Sequence, residues 1–177
     1  MARSAFLHPF TKPTASDFIN ITRGEGAVVW DSDGNRYVDA MASLWYCQVG
    51  HGRTEIADAV AEQMRTLEAF HTFEMFTNEP AELLSTRLAS NAPMPDARVF
   101  LTSSGSEAVD TALKIALGYH KARGEGARTR FIGRERGYHG VGFGGISVGG
   151  IVANRKMFGT LLAGADHLPH TYNREKQ

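Results

Sequence analysis

Apolar residues recur at three- and four-residue spacing in three stretches of the chain, which is the period of an amphipathic helix. This pattern predicts helices over residues 54–70, 79–89 and 107–123. Thr54 is the predicted N-cap of the first helix, and Gly124 is the predicted C-cap of the third. In the second helix the leucines are predicted to face inward: Leu83, Leu84 and Leu88.

Short runs of β-prone residues lie between these helices. Residues 28–30 and 36–38 flank the dipeptide Asp33-Gly34, a strong hairpin signal. Further strands are predicted over residues 98–102 and 130–133, and the chain from residue 165 to its end approaches a strand or a turn. Because helices and strands alternate, the sequence predicts an α/β sheet whose ligands bind at the carboxyl ends of the strands.

Composition narrows the class of protein. Of the 177 residues, 42% are hydrophobic and 21% charged, which is typical of a soluble globular protein, either one domain or part of a larger one. Lys and Arg number 19, as do Asp and Glu, so the chain lacks the basic excess that binds nucleic acid. The apolar runs are too short for a membrane span, and no secretory signal is evident. We therefore expect a cytoplasmic location, no nucleic acid and no membrane. The single Cys47 excludes an internal disulfide, and no metal site is predicted.

Residues 99–108 join a short apolar run to the third predicted helix through Ser103, Ser104, Gly105 and Ser106. This pattern predicts a buried strand, a tight turn and a helix N-terminus. Free N–H groups and the positive end of the helix dipole at such a turn bind anions, and glycine lets the anion approach the backbone. A phosphate-binding turn is one interpretation, and an ordinary serine-capped turn is the other.

A second loop is rich in glycine, with seven glycines between Gly137 and Gly150. Tyr138 and His139 lie at its start, just after the strand predicted over residues 130–133. A ligand with a phosphate and an aromatic ring would explain both loops, because Tyr138 can stack on the ring. A loop tyrosine bonded to backbone and a structural histidine are the alternatives.

Residues 140–145 also satisfy G-x-G-x-x-G, and Asp166 follows at about the distance found in dinucleotide-binding proteins. The context is unfavourable, since residues 134–139 separate the motif from its strand and Gly149-Gly150 interrupts any long helix after it. A Walker A loop is excluded because the chain has no Gly-Lys-Ser/Thr.

Four stretches in order resemble the class III aminotransferases, pyridoxal-phosphate (PLP) enzymes of fold type I. Residues 100–114 resemble the phosphate-binding turn and helix of that family, and residues 137–140 resemble its ring-stacking loop. Residues 30–39 resemble its N-terminal hairpin and residues 44–52 its substrate-side loop. The ω-amino-acid or amine:pyruvate aminotransferases are the most similar subgroup.

The resemblance implies a role for each matching residue. Ser104, Gly105 and Ser106 would hold the cofactor phosphate, Tyr138 would cover one face of the pyridine ring, and His139 would support that loop. Trp45 would line the substrate pocket, although a core position is an equal alternative. Glu107 is interpreted as a first-turn acid and not as a catalytic group.

The resemblance also implies an organisation. Residues 1–52 would form the N-terminal arm and β-hairpin segment, and residues 53–177 the first part of the large PLP-binding domain, with an incomplete sheet. The complete sheet of the family has seven strands, so we expect either a fragment of a longer enzyme or a truncated product. A homodimer is expected, because family active sites form across a dimer interface.

Catalysis in this family needs a lysine that forms a Schiff base with PLP and an acid beside the pyridine nitrogen. None of the lysines matches that lysine's position: Lys12, Lys114, Lys121, Lys156 and Lys176. We therefore assign no catalytic residue and expect the chain alone to be inactive. The complete enzyme would move an amino group from an ω-amino acid or amine to a keto acid such as pyruvate. An NAD-binding oxidoreductase domain and a non-catalytic assembly fragment are the alternatives.

Overall fold

The computed structural model describes residues 4–159 and 161–172. The chain divides into two compact units, Met1–Thr77 and Asn78–Gln177. Its helices and strands are, in order, β1 (Ile21–Glu25), β2 (Val28–Asp31), β3 (Arg36–Val38), α1 (Ala42–Trp45), α2 (Thr54–Thr66), α3 (Glu79–Ser90), α4 (Gly105–Ala122), β4 (Phe131–Arg134), α5 (Phe143–Val148), α6 (Val152–Lys156) and β5 (Ala165–Leu168). A domain boundary after residue 52 stays a prediction.

In the first unit, β2 and β3 form the predicted antiparallel hairpin, with Val29 opposite Tyr37, and β1 pairs with the other edge of β2. Gly34 in the turn has a φ of 83°, which glycine adopts without steric cost. The Asp31 carboxylate braces the turn, accepting the Asn35 backbone N–H at 2.8 Å and the Tyr37 hydroxyl at 2.8 Å. The hairpin prediction is confirmed.

The helix α2 matches the first predicted helix, but both of its ends differ from the prediction. Arg53 rather than Thr54 occupies the N-cap position, and no side chain caps the helix there, so the predicted N-cap is wrong. The helix ends at Thr66 instead of Phe70 because Leu67 has extended backbone, with a φ of −160° and a ψ of 105°.

In the second unit, α3 begins after Asn78, whose side chain accepts the Ala81 backbone N–H at 3.1 Å. The helix α4 is followed, as predicted, by Gly124 at a φ of 79°. The strands β4 and β5 pair in parallel, with Phe131 opposite Ala165. A parallel pair joined through helices is the predicted α/β arrangement; the part of the prediction that falls on residues 173–177 lies outside the described residues.

Residues 98–102 do not form the predicted strand. A strand requires a neighbour whose N–H and C=O groups pair with its own, and no described strand pairs with this segment. Phe100 and Leu101 are consequently exposed rather than buried. The turn at residues 102–106 is therefore preceded by irregular backbone.

Burial is concentrated in the glycine-rich segment. Within the described ranges, Val148 is the buried apolar residue, and Gly144, Gly145 and Ser147 of the same helix are also buried. The leucines of α3 that were predicted to face inward are exposed, as is the apolar face of α2. Within the described ranges, no other helix or strand packs against α2 or α3, so no helix or strand there covers these faces. None of the described helices is long and apolar enough to cross a membrane.

Candidate functional site

The turn that precedes α4 is closed by two reciprocal hydrogen bonds. Ser104, the N-cap residue, accepts the Glu107 backbone N–H on its Oγ at 3.2 Å. The Glu107 carboxylate in turn accepts the Ser103 backbone N–H at 3.0 Å. The arrangement resembles a capping box, except that the Glu107 carboxylate bonds the residue before the N-cap, and it fixes the direction in which the first turn of the helix points. Glu107 therefore takes part in the cap through both its backbone N–H and its carboxylate.

The first residues of α4 present donors that the helix does not use. Among the described residues, no acceptor bonds the backbone N–H of Gly105 or Ser106. A Cβ at Gly105 would meet no atom within 4 Å, so the space beside the turn is open. Free N–H groups at the positive end of an 18-residue helix suit an anion.

One hydrogen bond joins this turn to the glycine-rich loop. The Oγ of Ser106 accepts the Val141 backbone N–H at 3.0 Å. Gly140 lies directly against Ser106, since a Cβ at Gly140 would be 2.8 Å from the Ser106 Cα. Gly140 also has a φ of 110°, a conformation that disfavours other residues. The two loops singled out in the sequence are thus in contact.

Tyr138 and His139 lie at the start of the loop that contacts the turn. Tyr138 is half exposed. The His139 imidazole lies beside Gly137, whose Cβ would be 3.1 Å from Nε2. The His139 carbonyl oxygen lies against Gly145, where a Cβ would be only 2.4 Å away. The main chain of His139 therefore packs tightly against α5, whereas its ring is exposed.

Asp110 is part of this arrangement, although no role was predicted for it from the sequence. Its carboxylate accepts the Gly145 backbone N–H at 2.8 Å and so caps the first turn of α5. Gly142 and Gly144 leave room for it, since a Cβ at either position would be 2.6 Å from a carboxylate oxygen. Asp110 lies four residues after Ser106, one helical turn along α4, and that spacing was the available signal.

In the first unit, Trp45 ends a turn with an unusual backbone. Ala42, Ser43, Leu44 and Trp45 have φ values of 47°, 50°, 68° and 78°, so α1 is one left-handed turn without a glycine. Left-handed backbone costs non-glycine residues roughly 1–2 kcal/mol each. Trp45 as a whole residue is 68% exposed. Its assignment to a substrate pocket stays a prediction.

A polar cluster beside α1 was missed in the sequence. Asp39 accepts hydrogen bonds from Ser43 and His51, and the Asp39 and His51 side chains are both largely buried. The backbone N–H of Ser43, followed by the His51 side chain, lowers the pKa of the Asp39 carboxyl below its ordinary value. His51 lies in the stretch 44–52 that resembles the family's substrate-side loop, and no role of its own was predicted for it.

The competing dinucleotide motif finds no support in the structure. The strand β4 ends at Arg134, six residues before Gly140, and the helix that begins within the motif has only six residues. Asp166 lies in β5 and forms an ion pair with Arg130, so its carboxylate is already engaged. This geometry does not favour the NAD-binding interpretation.

Comparison with known proteins shows the family to which the chain belongs. Residues 10–177 match the profile of the family described as Aminotransferase class-III. An omega-aminotransferase of Caulobacter vibrioides is 55% identical over 135 residues, covering 76% of this chain and 30% of the relative. A beta-alanine–pyruvate aminotransferase of Pseudomonas aeruginosa is 43% identical over 151 residues, covering 85% of this chain and 33% of the relative.

A solved structure supports the same relationship. The PLP-bound amine transaminase from an uncultivated Pseudomonas species superimposes with a TM-score of 0.90 at 39% identity, covering 95% of this chain and 39% of that one. The fold is therefore that of the fold type I PLP-dependent transaminases. The chain belongs to the class III aminotransferase family, and it spans about a third of the length of the curated relatives it matches.

Proposed function

We propose that this chain supplies the cofactor-binding turn of a PLP-dependent aminotransferase of the ω-amino-acid or amine:pyruvate type. The reaction would move an amino group from an ω-amino acid or amine to a keto acid such as pyruvate. The observation that carries the proposal is the hydrogen bond between the Ser106 Oγ and the Val141 N–H. It brings an anion-binding helix N-terminus together with the loop that carries Tyr138.

The residues of the turn fit the phosphate of PLP. The N–H groups of Gly105 and Ser106 would donate to its oxygens, while Ser104 holds the cap that orients them. Tyr138 would cover one face of the ring, and His139 would fix the loop against α5 through its main chain. When bound, PLP supplies the electron-withdrawing ring on which amino-group transfer depends.

The proposal is tested by measuring the binding of pyridoxamine 5′-phosphate to the 177-residue chain by equilibrium dialysis. This compound carries an amine instead of an aldehyde, so surface lysines do not trap it. We expect saturable binding, and we expect pyridoxamine without the phosphate to bind at least tenfold more weakly. Equal binding of the two compounds, or tighter binding of NAD, would contradict the proposal.

Two serine variants locate the binding site. Ser106→Ala removes the hydroxyl that joins the loops and should weaken pyridoxamine 5′-phosphate binding by roughly tenfold, or about 1.4 kcal/mol. Ser103→Ala is the matched control, because its described hydrogen bond uses the backbone N–H and not the hydroxyl. A similar loss in both variants would argue against a phosphate held at the N-terminus of α4.

The proposal includes a homodimer, a cytoplasmic location and the inactivity of this chain by itself. None of the four lysines within the described ranges matches the Schiff-base lysine of the family by position, and Lys176 lies outside those ranges. Mixing the chain with PLP, β-alanine and pyruvate should therefore produce no alanine above a protein-free control. Alanine formation at a measurable rate would overturn this part of the proposal.

A further inference from the structure

The left-handed turn α1 requires an external cause. Ser43 and Leu44 have φ/ψ values of 50°/42° and 68°/46°, well inside the left-handed region. Residues other than glycine disfavour this region because of their Cβ atom, and several of them in succession in this conformation are rare. The turn closes its own helical bonds, with the Trp45 N–H donating to the Met41 carbonyl at 2.8 Å. Those bonds do not select the hand, so a contact outside the turn must do so.

Asp39 provides that contact. Its two carboxylate oxygens accept the Ser43 backbone N–H at 3.0 and 2.8 Å, and one also accepts the Ser43 hydroxyl at 3.1 Å. The Asp39 side chain is only 12% exposed, so water competes little for these bonds. A carboxylate bound to a backbone N–H inside the turn stabilises the conformation that points this N–H toward it.

His51 connects this carboxylate to the sheet. Its Nε2 lies 2.8 Å from an Asp39 carboxylate oxygen. Its backbone exchanges two hydrogen bonds with Gly26, at 2.8 and 3.0 Å. Its ring lies directly over Gly24 of β1, where a Cβ would be 2.6 Å from the His51 Cγ. Asp39 is thereby fixed relative to the strands, and the turn is fixed relative to Asp39.

We propose that Asp39 is a positioning residue that holds α1 left-handed and so sets the direction in which Trp45 projects. This proposal rests on the proposed function in one respect, namely that Trp45 shapes the pocket for the amine substrate. The exposed Trp45 side chain has little packing of its own to fix it, so its direction follows from the backbone of the turn. Substitutions at Asp39 would then alter selectivity for the size of the amine without touching the substrate.

The test follows Trp45 in a chain in which Trp30 is replaced by Phe, leaving Trp45 as the single tryptophan. Phe retains an aromatic face for the Arg23 guanidinium, which lies 4.1 Å from the Trp30 ring centroid. Two signals are recorded, the intraresidue HN–Hα NOEs of Ser43 and of Trp45, and both are strong only at positive φ. In this background, Asp39→Asn should reduce both signals at least twofold.

A matched control and a rescue separate positioning from general loss of structure. Asp58→Asn makes the same change at an exposed position of α2 and should leave both signals unchanged. Leu44→Gly added to Asp39→Asn should restore the Ser43 NOE, because glycine accepts positive φ without help from a carboxylate. The exposed Leu44 side chain contributes little packing that this change could remove.

Each outcome decides the proposal. Unchanged signals in Asp39→Asn would overturn the proposal. Failure of Leu44→Gly to restore the Ser43 NOE in the Asp39→Asn chain would also overturn it, including when Asp39→Asn unfolds the chain. Pyridoxamine 5′-phosphate binding is measured in the same samples. Loss of both signals with intact ligand binding supports the positioning role, whereas absence of ligand binding in the unsubstituted chain refutes the proposed function and leaves the result for Asp39 standing.

Discussion

Two regions of the molecule hold unusual backbone by opposite means. The turn α1 keeps four residues at positive φ without a glycine and relies on the hydrogen bonds that Asp39 accepts. The loop at residues 137–150 relies on the absence of side chains. A Cβ at Gly145 would lie 2.4 Å from the His139 carbonyl oxygen, and one at Gly150 would lie 2.0 Å from that of Arg134.

Because of this difference, the two regions should be sensitive to different changes. A carboxylate loses its function when it is protonated, so the first region should respond to acid. Close contact between main-chain atoms does not titrate, so the second region should respond to added volume. The same contrast explains why most of residues 144–150 are buried whereas Leu44 and Trp45 are exposed, since main chain without side chains can approach main chain closely.

The largest effect is expected from Gly145→Ala. The new methyl group would meet the His139 carbonyl, a main-chain atom that cannot rotate away. We expect a loss of about 3 kcal/mol in the free energy of unfolding, the upper range for overpacking, measured by urea denaturation. Gly126→Ala is the control, because its Cβ would meet nothing within 4 Å. Equal stability of the two variants would mean that the loop is not closely packed.

A smaller loss is expected from Asp110→Ala, which removes the carboxylate that caps α5 through the Gly145 N–H. The expected loss is about 1–2 kcal/mol, the range for an N-cap, by the same denaturation measurement. Asp58→Ala on exposed α2 is the control and should change stability little. If both variants lose the same amount, Asp110 does not act as a cap.

The response to acid tests the first region directly. The pKa of Asp39 lies below its ordinary value because of the Ser43 N–H and then His51, so its contribution is fully present above the unfolded-state pKa. That contribution is lost as the pH falls through the lower, folded-state pKa. Stability measured by denaturation from pH 5 down to pH 2 should therefore decline less steeply in Asp39→Asn than in the parent chain.

Asp31 sharpens the acid experiment because the Asn35 side chain, foremost among its hydrogen-bond donors, also lowers its pKa. Asp31→Asn should likewise make stability fall less steeply between pH 5 and pH 2, and its combination with Asp39→Asn should reduce the slope further. If stability falls equally steeply with decreasing pH in the parent chain and in both single variants, the carboxylate hydrogen bonds do not stabilise this unit.

The smallest effect is expected from Leu44→Gly in the otherwise unchanged chain. Relief of left-handed backbone outweighs the extra entropy of glycine in the unfolded chain, for a net gain of up to about 1 kcal/mol. The same change at Leu117, an exposed leucine inside right-handed α4, should lose about 1 kcal/mol. A loss at both positions in urea denaturation would show that α1 is not left-handed in solution.

Local patterns predicted much of the fold. The Asp33-Gly34 hairpin, the three long helices and the strand near residue 131 were all predictable, because each depends on neighbours along the chain. Two predictions were wrong: the strand at residues 98–102 and the inward position of Leu83, Leu84 and Leu88. A strand needs a pairing partner, and an apolar face needs other residues to cover it. The local sequence of a segment specifies neither of these.

The sequence by itself determined the family and the serine–glycine turn, because a capped helix N-terminus is encoded within a few consecutive residues. Only the tertiary structure decided that Ser106 meets Val141, that Asp110 caps α5 and that Asp39 holds α1 left-handed. The first two contacts join residues 35 positions apart, and His51 bonds Asp39 across 12. Such contacts depend on how the chain returns on itself, which no local spacing of residue types specifies.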